Sequence, residues 1–380
     1  LLRLQRALFA AAPGLYLGGI GLVTGLGALA AYTFVKASQA PALALAAALL
    51  ALVPASELAV LVVQRAVAAL VRPKRLPRVE LTEGVPPGAR TMGVIPTLLG
   101  SVGGVERLLE HLEVQALGNL EPNVHFAVLS DFRDAATATV AGDEEILAAA
   151  VAGVTALNRR YAPESMDRFF LFHRDRLWNP GEGVFMGWER KRGKLEEFNR
   201  LLRDPVDEGF RVKVGELSIL PSVRYVLTLD SDSRLPRGAA RILIGILVHP
   251  LNRPVVDPVE RRVTAGYGIL QPRVSVTLSS AAGSLFARVY AGHTGVDPYS
   301  TAVSDTYQDL FGEGIFTGKG LYDVDAFRAT VDGRVPENAL LSHDLFEGIH
   351  ARTALVSDVE VVDDYPASVL AHARRQHRWV

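Results

Sequence analysis

The chain has 380 residues, with 40 Lys and Arg against 41 Asp and Glu and a formal net charge of −1. That length supports a sizeable core plus an appendage, and the charge balance lacks the basic surplus of a nucleic-acid-binding protein. Cysteine is absent, which excludes disulfides and thiolate metal sites and fits exposure to the cytosol.

The apolar residues are concentrated at the N-terminus. Residues 7–35 carry no charge, and after Lys36 a second uncharged stretch covers 37–56 and stays apolar past Glu57 to Val63. Each exceeds the roughly 20 helical residues that cross a hydrocarbon core. Two transmembrane helices are therefore expected, at about 13–35 and 41–64, within a membrane segment 1–71. Gly14, Gly18, Gly19, Gly21, Gly25 and Gly27 include small-xxx-small spacings suited to close helix contact. A cleaved signal peptide is the alternative, since Arg3 and Arg6 resemble its charged region. Its apolar run would be too long, however, and a second span follows. Arg65, Arg72, Lys74, Arg75 and Arg78 follow that second span. Basic flanks stay cytoplasmic, so both ends are expected inside and residues 36–41 outside. Glu57 is expected near an interface or a neighbouring helix. Pro73 and Pro77 punctuate a linker, 72–89, to a soluble domain over 90–380.

From Arg90 onward strand and helix patterns alternate. Residues 91–97 predict a buried strand, and Val105, Leu108, Leu109, Leu112 and Ala116 then share a helical face. A second strand, 124–129, ends in Ser130-Asp131. Asp143-Glu144-Glu145 opens a helix, expected to run to about 159, with acids where the macrodipole favours them. Further strands are expected at 169–172 and 223–229, with a helix at 194–202 between them. Pro236 suits the first turn of the next helix. This alternation means an α/β domain with a mainly parallel sheet and ligands at the carboxyl ends of its strands.

The strand 223–229 ends in Asp230-Ser231-Asp232. Two carboxylates at a sheet rim can hold a hard divalent cation that keeps substrate phosphate in its shell; a solvated turn is the alternative. Downstream the chain is dense in Gly, aromatic and charged residues. The stretches 266–273, Tyr307-Gln308-Asp309-Leu310-Phe311-Gly312-Glu313-Gly314, Thr317-Gly318-Lys319-Gly320 and Ser342-His343-Asp344 read as loops of a polar, aromatic-lined sugar site. Gly320 follows Lys319 where a P-loop needs Ser or Thr, so nucleotide hydrolysis is rejected.

The ordered series Ile95-Pro96-Thr97, Ser130-Asp131, Asp230-Ser231-Asp232, Ser342-His343-Asp344 and Gln376-His377-Arg378-Trp379 resembles membrane processive glycosyltransferases of GT-A fold, such as cellulose and hyaluronan synthases. The longer runs 266–273, 305–327 and 336–362 look more specifically like the glycosyltransferase domain of cyclic β-1,2-glucan synthases. The resemblance covers the chain from about residue 56 to its end. It implies an inverting glucosyltransferase at the inner (cytoplasmic) membrane, using UDP-glucose and a glucan acceptor. It also implies a Rossmann-like GT-A domain in the cytoplasm behind the two-helix hairpin, and an excised segment of a larger multi-domain polypeptide. Arg375 stands where the class has Gln, and Ser342-His343-Asp344 where it has Thr-Glu-Asp.

By the same resemblance, Asp232 is the ligand of Mg²⁺ or Mn²⁺, and Asp230 contacts ribose or braces the loop. Pro96, Thr97 and Asp131 hold the uridine half of the donor; Asp134 is either a further contact or a helix cap. Asp344 is the general base, with His343 beside it as the alternative. Arg378 and Lys194 are candidates for the diphosphate, although Lys194 lies in a basic run that also reads as solvated surface. Trp379 is a stacking platform for an acceptor sugar or, alternatively, a core residue. Lys319 lines the acceptor side with no contact assigned. A synthase of another β-glycan and a non-catalytic membrane scaffold are the competing functions.

Overall fold

The computed structural model describes residues 9–37, 41–161, 166–204, 206, 208–291, 305–340 and 342–377, which fall into two compact units. The smaller unit is built on helices α1 (Ala12–Lys36) and α2 (Pro41–Leu70), both long and apolar enough to cross a membrane. The second continues to Leu70, past the expected end at 64, because the helical backbone is satisfied internally whether or not its side chains are apolar. Most of their leucines are exposed, which in water would be a large unpartnered apolar surface. Close approach uses few of the glycines. A Cβ on Gly27 would lie 2.8 Å from that of Ala55, and one on Gly19 3.5 Å from Val63, whereas Gly14, Gly18, Gly21 and Gly25 face open space.

Residues 307–313, expected from the sequence among the loops of a sugar site, fall in this smaller unit. The short helix Thr306–Phe311 belongs to it, and there Tyr307 and Phe311 each set their rings edge-on to Tyr16 at 6.1 Å. Asp305 caps that helix by accepting from the amides of Tyr307 and Gln308.

The larger unit begins at Arg75. In chain order it contains β1 (Thr91–Leu99), α3 (Val102–Gly118), β2 (Val124–Phe132), α4 (Asp143–Tyr161), β3 (Phe169–Arg174), β4 (Leu177–Asn179), β5 (Val184–Met186), α5 (Arg190–Leu201), β6 (Val212–Val214), β7 (Tyr225–Thr228) and α6 (Ala239–Val248). It continues with β8 (Val255–Asp257), β9 (Arg262–Ala265), β10 (Ile269–Val276), β11 (Gly320–Asp323), α7 (Val324–Val331), α8 (Asp344–Ala351), β12 (Thr353–Asp363) and α9 (Val369–His377). Eight strands form one sheet in the order β12-β10-β11-β7-β1-β2-β3-β6. The β7-β1-β2-β3 block is parallel throughout, β10 pairs parallel with β12, and β11 and β6 run antiparallel to their neighbours.

Alternation along the strands divides the core between two faces. Val124, Phe126 and Val128 of β2, with Phe169 and Leu171 of β3, pack with Leu112 of α3, Val154 of α4 and Leu243 of α6. Ala127, Leu129, Phe170 and Phe172 point the other way, toward Leu195 and Phe198 of α5. Every residue of β2 is buried, as expected of a parallel strand covered on both faces. Truncating a fully buried ring such as Phe172 to Ala costs about 3–5 kcal/mol in such a core.

Two local expectations change. Pro236 lies outside α6, which starts at Ala239 because Gly238 takes φ 73° and sets a turn first. Residues 269–276 are a strand rather than a loop. Pro272 sits where the β10–β12 register shifts, one of the few places a sheet tolerates a missing donor.

Candidate active site

The sheet's connectivity gathers charge at one rim. β7 ends at Thr228 and delivers Asp230 and Asp232 there. β11 runs antiparallel to β7 and pairs Gly320 with Thr228, so the approach to β11, Gly318-Lys319, arrives at the same rim. β12 points the same way as β7 and brings Asp363 at its end. Lys319 is buried and bridges these strands, with Nζ 3.1 Å from Asp230 Oδ2 and in direct contact with Asp363 Oδ2. Asp363 also accepts from Ser233 Oγ at 2.7 Å, and Arg375 of α9 lies 3.7 Å away. That contact is where the Arg in place of Gln in the terminal motif leads.

Helix α5 starts four residues earlier than expected, and so brings a second lysine to the rim. Glu189 and Arg190 both take positive φ, which swings the chain into the helix. Lys191 then donates to Asp230 Oδ1 at 2.7 Å and to the Gly318 carbonyl at 3.0 Å, and Thr228 Oγ1 donates to that same carbonyl at 2.7 Å. Burial pushes the Asp230 carboxyl up, but Lys191 and Lys319 prevail and bring it down to about 2. Burial likewise opposes protonation of Lys191, and Asp230 and then Asp344 raise its pKa above the ordinary lysine value.

Asp344 opens α8 against the other side of Gly318. A Cβ on that glycine would come 2.6 Å from Asp344 Oδ1. Oδ1 is buried and accepts no hydrogen bond among the described residues. His343 Nδ1 lies 3.6 Å from it and makes a 2.7 Å hydrogen bond with Glu347 Oε1, one turn along the helix. Burial works against protonation of His343, yet Glu347 and Asp344 raise its pKa above the ordinary histidine value. Gly318 thus separates the Lys191–Asp230 pair from the Asp344 carboxylate.

The expected uridine side is assembled on the ends of β1, β2 and β3. Pro96 and Thr97 are half-buried, and the register sets Leu98 beside Asp131 and Asp131 beside Arg174. Asp131 is 1 % exposed and accepts from Arg174 Nε and Nη2 at 2.7 and 2.8 Å, a two-pronged pairing. Lys194 Nζ lies 3.0 Å from its Oδ2 and donates to the Thr97 carbonyl at 2.6 Å. Burial favours the neutral Asp131 acid, but Lys194 and Arg174 hold its pKa below the ordinary value. Burial brings the Lys194 amine down to about 8, with Asp131 opposing and Arg174 assisting. Asp134 caps no helix and pairs instead with Arg190 at 2.7 Å. Arg378 and Trp379 lie outside the described residues.

No protein-family model matches the chain. It is 48 % identical over 309 residues to the cyclic beta-(1,2)-glucan synthase NdvB of Rhizobium meliloti (strain 1021), an alignment that covers 81 % of this chain. The chain is a relative of the cyclic β-(1,2)-glucan synthases. It spans 11 % of the length of that relative. A crystal structure of S. aureus TarS aligns with a TM-score of 0.38 at 11 % identity, covering 73 % of this chain and 37 % of that one.

The divalent cation expected from the sequence is assigned to Asp232, and the surroundings of that carboxylate bear on the fit. The Asp232 side chain is exposed and forms no ion pair among the described residues; partial desolvation by its neighbours, then Asp363 and Asp230, push its carboxyl up against the pull of Lys319. A carboxylate crowded by like charge gains from a hard cation with oxygen preference. His343, Asp344 and Glu347 also offer three ligand atoms within 4.8 Å of one another, although the His343 nitrogen is already engaged with Glu347.

Sequence reasoning missed Lys191, Lys319, Glu347 and Asp363 as members of this cluster. Two signals were there to find. Glu347 stands four residues after His343 on a helix, and Asp363 closes an alternating strand pattern, Asp358-Val359-Glu360-Val361-Val362. Lys191 was hidden among the cations of its own run.

Proposed function

We propose that the chain transfers glucose from UDP-glucose, with inversion at the anomeric carbon, to a growing β-1,2-glucan on a GT-A-type domain. The observation that carries this is the meeting of Asp230, Lys191 and Asp344 around Gly318 at the carboxyl ends of the strands. The 48 % identity to a cyclic β-(1,2)-glucan synthase supports the product class. Pro96, Thr97 and Asp131 form the uridine side, and Lys194 acts there by holding the Thr97 carbonyl and the Asp131 carboxylate in place. Lys191 is the cation next to the departing diphosphate, and Asp230, tied to two lysines, braces the loop or reaches the ribose. Asp232 holds Mg²⁺ or Mn²⁺, which when bound supplies Lewis-acid stabilisation of the diphosphate leaving group. Asp344 removes the proton of the acceptor hydroxyl as that oxygen bonds to the anomeric carbon, and the carboxylate supports positive charge developing on the sugar. Arg378 at the diphosphate and Trp379 under the acceptor sugar complete the proposal from the sequence.

The domain division, 1–71 membrane segment, 72–89 linker and 90–380 transferase, is part of the same reading, with the chain a portion of a larger polypeptide in the inner membrane. The catalytic side faces the cytoplasm, so a reporter at residue 38 is reachable from outside and one at residue 85 is not. The central experiment supplies labelled UDP-glucose with Mn²⁺ and determines the linkage of the product. β-1,2-Linked glucan, lost with EDTA and with Asp232→Ala, is the expected result. Another linkage would overturn the product class. Failure to transfer from any nucleotide sugar would overturn the enzymatic reading.

A further inference from the structure

Lys319 is 3 % exposed, and its ammonium is enclosed by carboxylates delivered from different strands. Asp230 arrives from β7 and Asp363 from β12, while Asp232 lies close enough to feel the charges of Asp363, Lys319 and Asp230. Ser233, the neighbour of Asp232, donates to Asp363 at 2.7 Å and fixes the two acidic segments against one another. Three convergent carboxylates without a counter-charge are a cation site of the kind that oxygen-rich proteins use for divalent ions. Here two fixed ammonium groups offset two of the three: Lys319 lies against Asp363 and Asp230, and Lys191 pairs with the other oxygen of Asp230. One protein carboxylate then remains for a metal ion, too few to hold it without oxygens from another source.

We propose that Lys319 is a positioning residue that makes divalent-cation binding depend on a nucleoside diphosphate. It engages Asp363 and, together with Lys191, Asp230, so the ion is held by Asp232 together with the two phosphates of the ligand. This rests on the assignment of Asp232 as the metal ligand made above. The arrangement keeps the site from filling with metal in the absence of donor, and it ties the D-x-D loop to β12 and, through Arg375, to the helix carrying the terminal motif.

The test measures Mn²⁺ binding by the loss of the free-ion paramagnetic signal, on the whole chain in detergent, with and without UDP. The parent is expected to bind Mn²⁺ with UDP and negligibly without it. Lys319→Met keeps the stem and removes the charge, and should bind Mn²⁺ without UDP at least roughly tenfold more tightly than the parent, a modest reading of one unit charge at close range. Lys319→Arg should behave as the parent. Should Lys319→Met fail to unfold cooperatively on heating, Asp363→Asn carries the test in the opposite direction, lowering Mn²⁺ affinity in the presence of UDP. A folded Lys319→Met chain with no gain, an Asp363→Asn chain with no loss, or a parent that binds Mn²⁺ equally well without UDP overturns the proposal. A parent that takes up no Mn²⁺ even with UDP overturns instead the assignment of Asp232.

Discussion

Gly318 is held at φ 79°, a conformation that side-chain-bearing residues rarely adopt, and it leaves no room for a methyl group beside Asp344. Its carbonyl meanwhile accepts from Lys191 and Thr228, so a single glycine sets the spacing between the donor-side cation and the proposed base. Asp344→Asn is therefore expected to leave UDP-glucose binding close to that of the parent while lowering turnover about 10²–10⁴-fold, the usual contribution of a positioned acid or base. Calorimetry and a transfer assay on the same preparation separate the two effects. Should His343→Ala show that split and Asp344→Asn not, the base is His343. His343 is set apart chemically: Glu347 favours its protonated form, which is a poor proton acceptor.

Among the elements, the two apolar helices show what a spacing pattern leaves open. Six glycines between residues 14 and 27 promise close packing, but a 3.6-residue period spreads them around the helix. Gly27 meets Ala55 and Gly25 meets nothing. Gly27→Leu should thus force α1 and α2 apart and lower stability by about 1–3 kcal/mol, the usual effect of overpacking. Gly25→Leu should be tolerated. Thermal unfolding in detergent measures the difference, and equal tolerance of the two would refute the helix contact. In the sheet, α5 makes the same point. The basic run from Arg190 to Lys194 reads as a surface patch, yet the helix begins at Arg190 and turns Lys191 and Lys194 onto different partners.

Across the whole molecule, stability should be sensitive to mild acid. His125 and His173 lie on the adjacent central strands β2 and β3, at 3 % and 0 % exposure. Burial, the leading cause for both, brings each down to about 4 from an ordinary value of 6.5. A base with a depressed folded pKa stays neutral in the folded state while the unfolded chain takes up its proton. These two histidines leave stability unchanged above pH 6.5 and lower it as pH drops from there toward 4, by at most about 1.4 kcal/mol per unit for each. The thermal midpoint should decline over that window, and His125→Phe should flatten the decline. An unchanged slope in His125→Phe would show that this histidine does not titrate as its burial demands.

The apolar spans, the strand–helix alternation and the acidic strand ends were legible in the sequence because each rests on local physics: helix length, side-chain period and the chemistry of two neighbouring carboxylates. Asp232 and Asp344 were singled out instead by their places in the ordered motif series, and the roles proposed for them rest on that resemblance. Residues 266–327 were harder. Gly and Pro there suggested loops, whereas β10 and β11 gain their hydrogen bonds from strands far away in the sequence, and no local signal announces such pairing. Nor does spacing reveal which lysine meets which acid. Lys191 and Lys194 stand three residues apart, yet one pairs with Asp230 and the other with Asp131. Local sequence determined which side chains stand at the ends of strands. The order of the strands, set by long-range burial and backbone pairing, decided that Asp230, Lys319 and Asp363 meet at one rim.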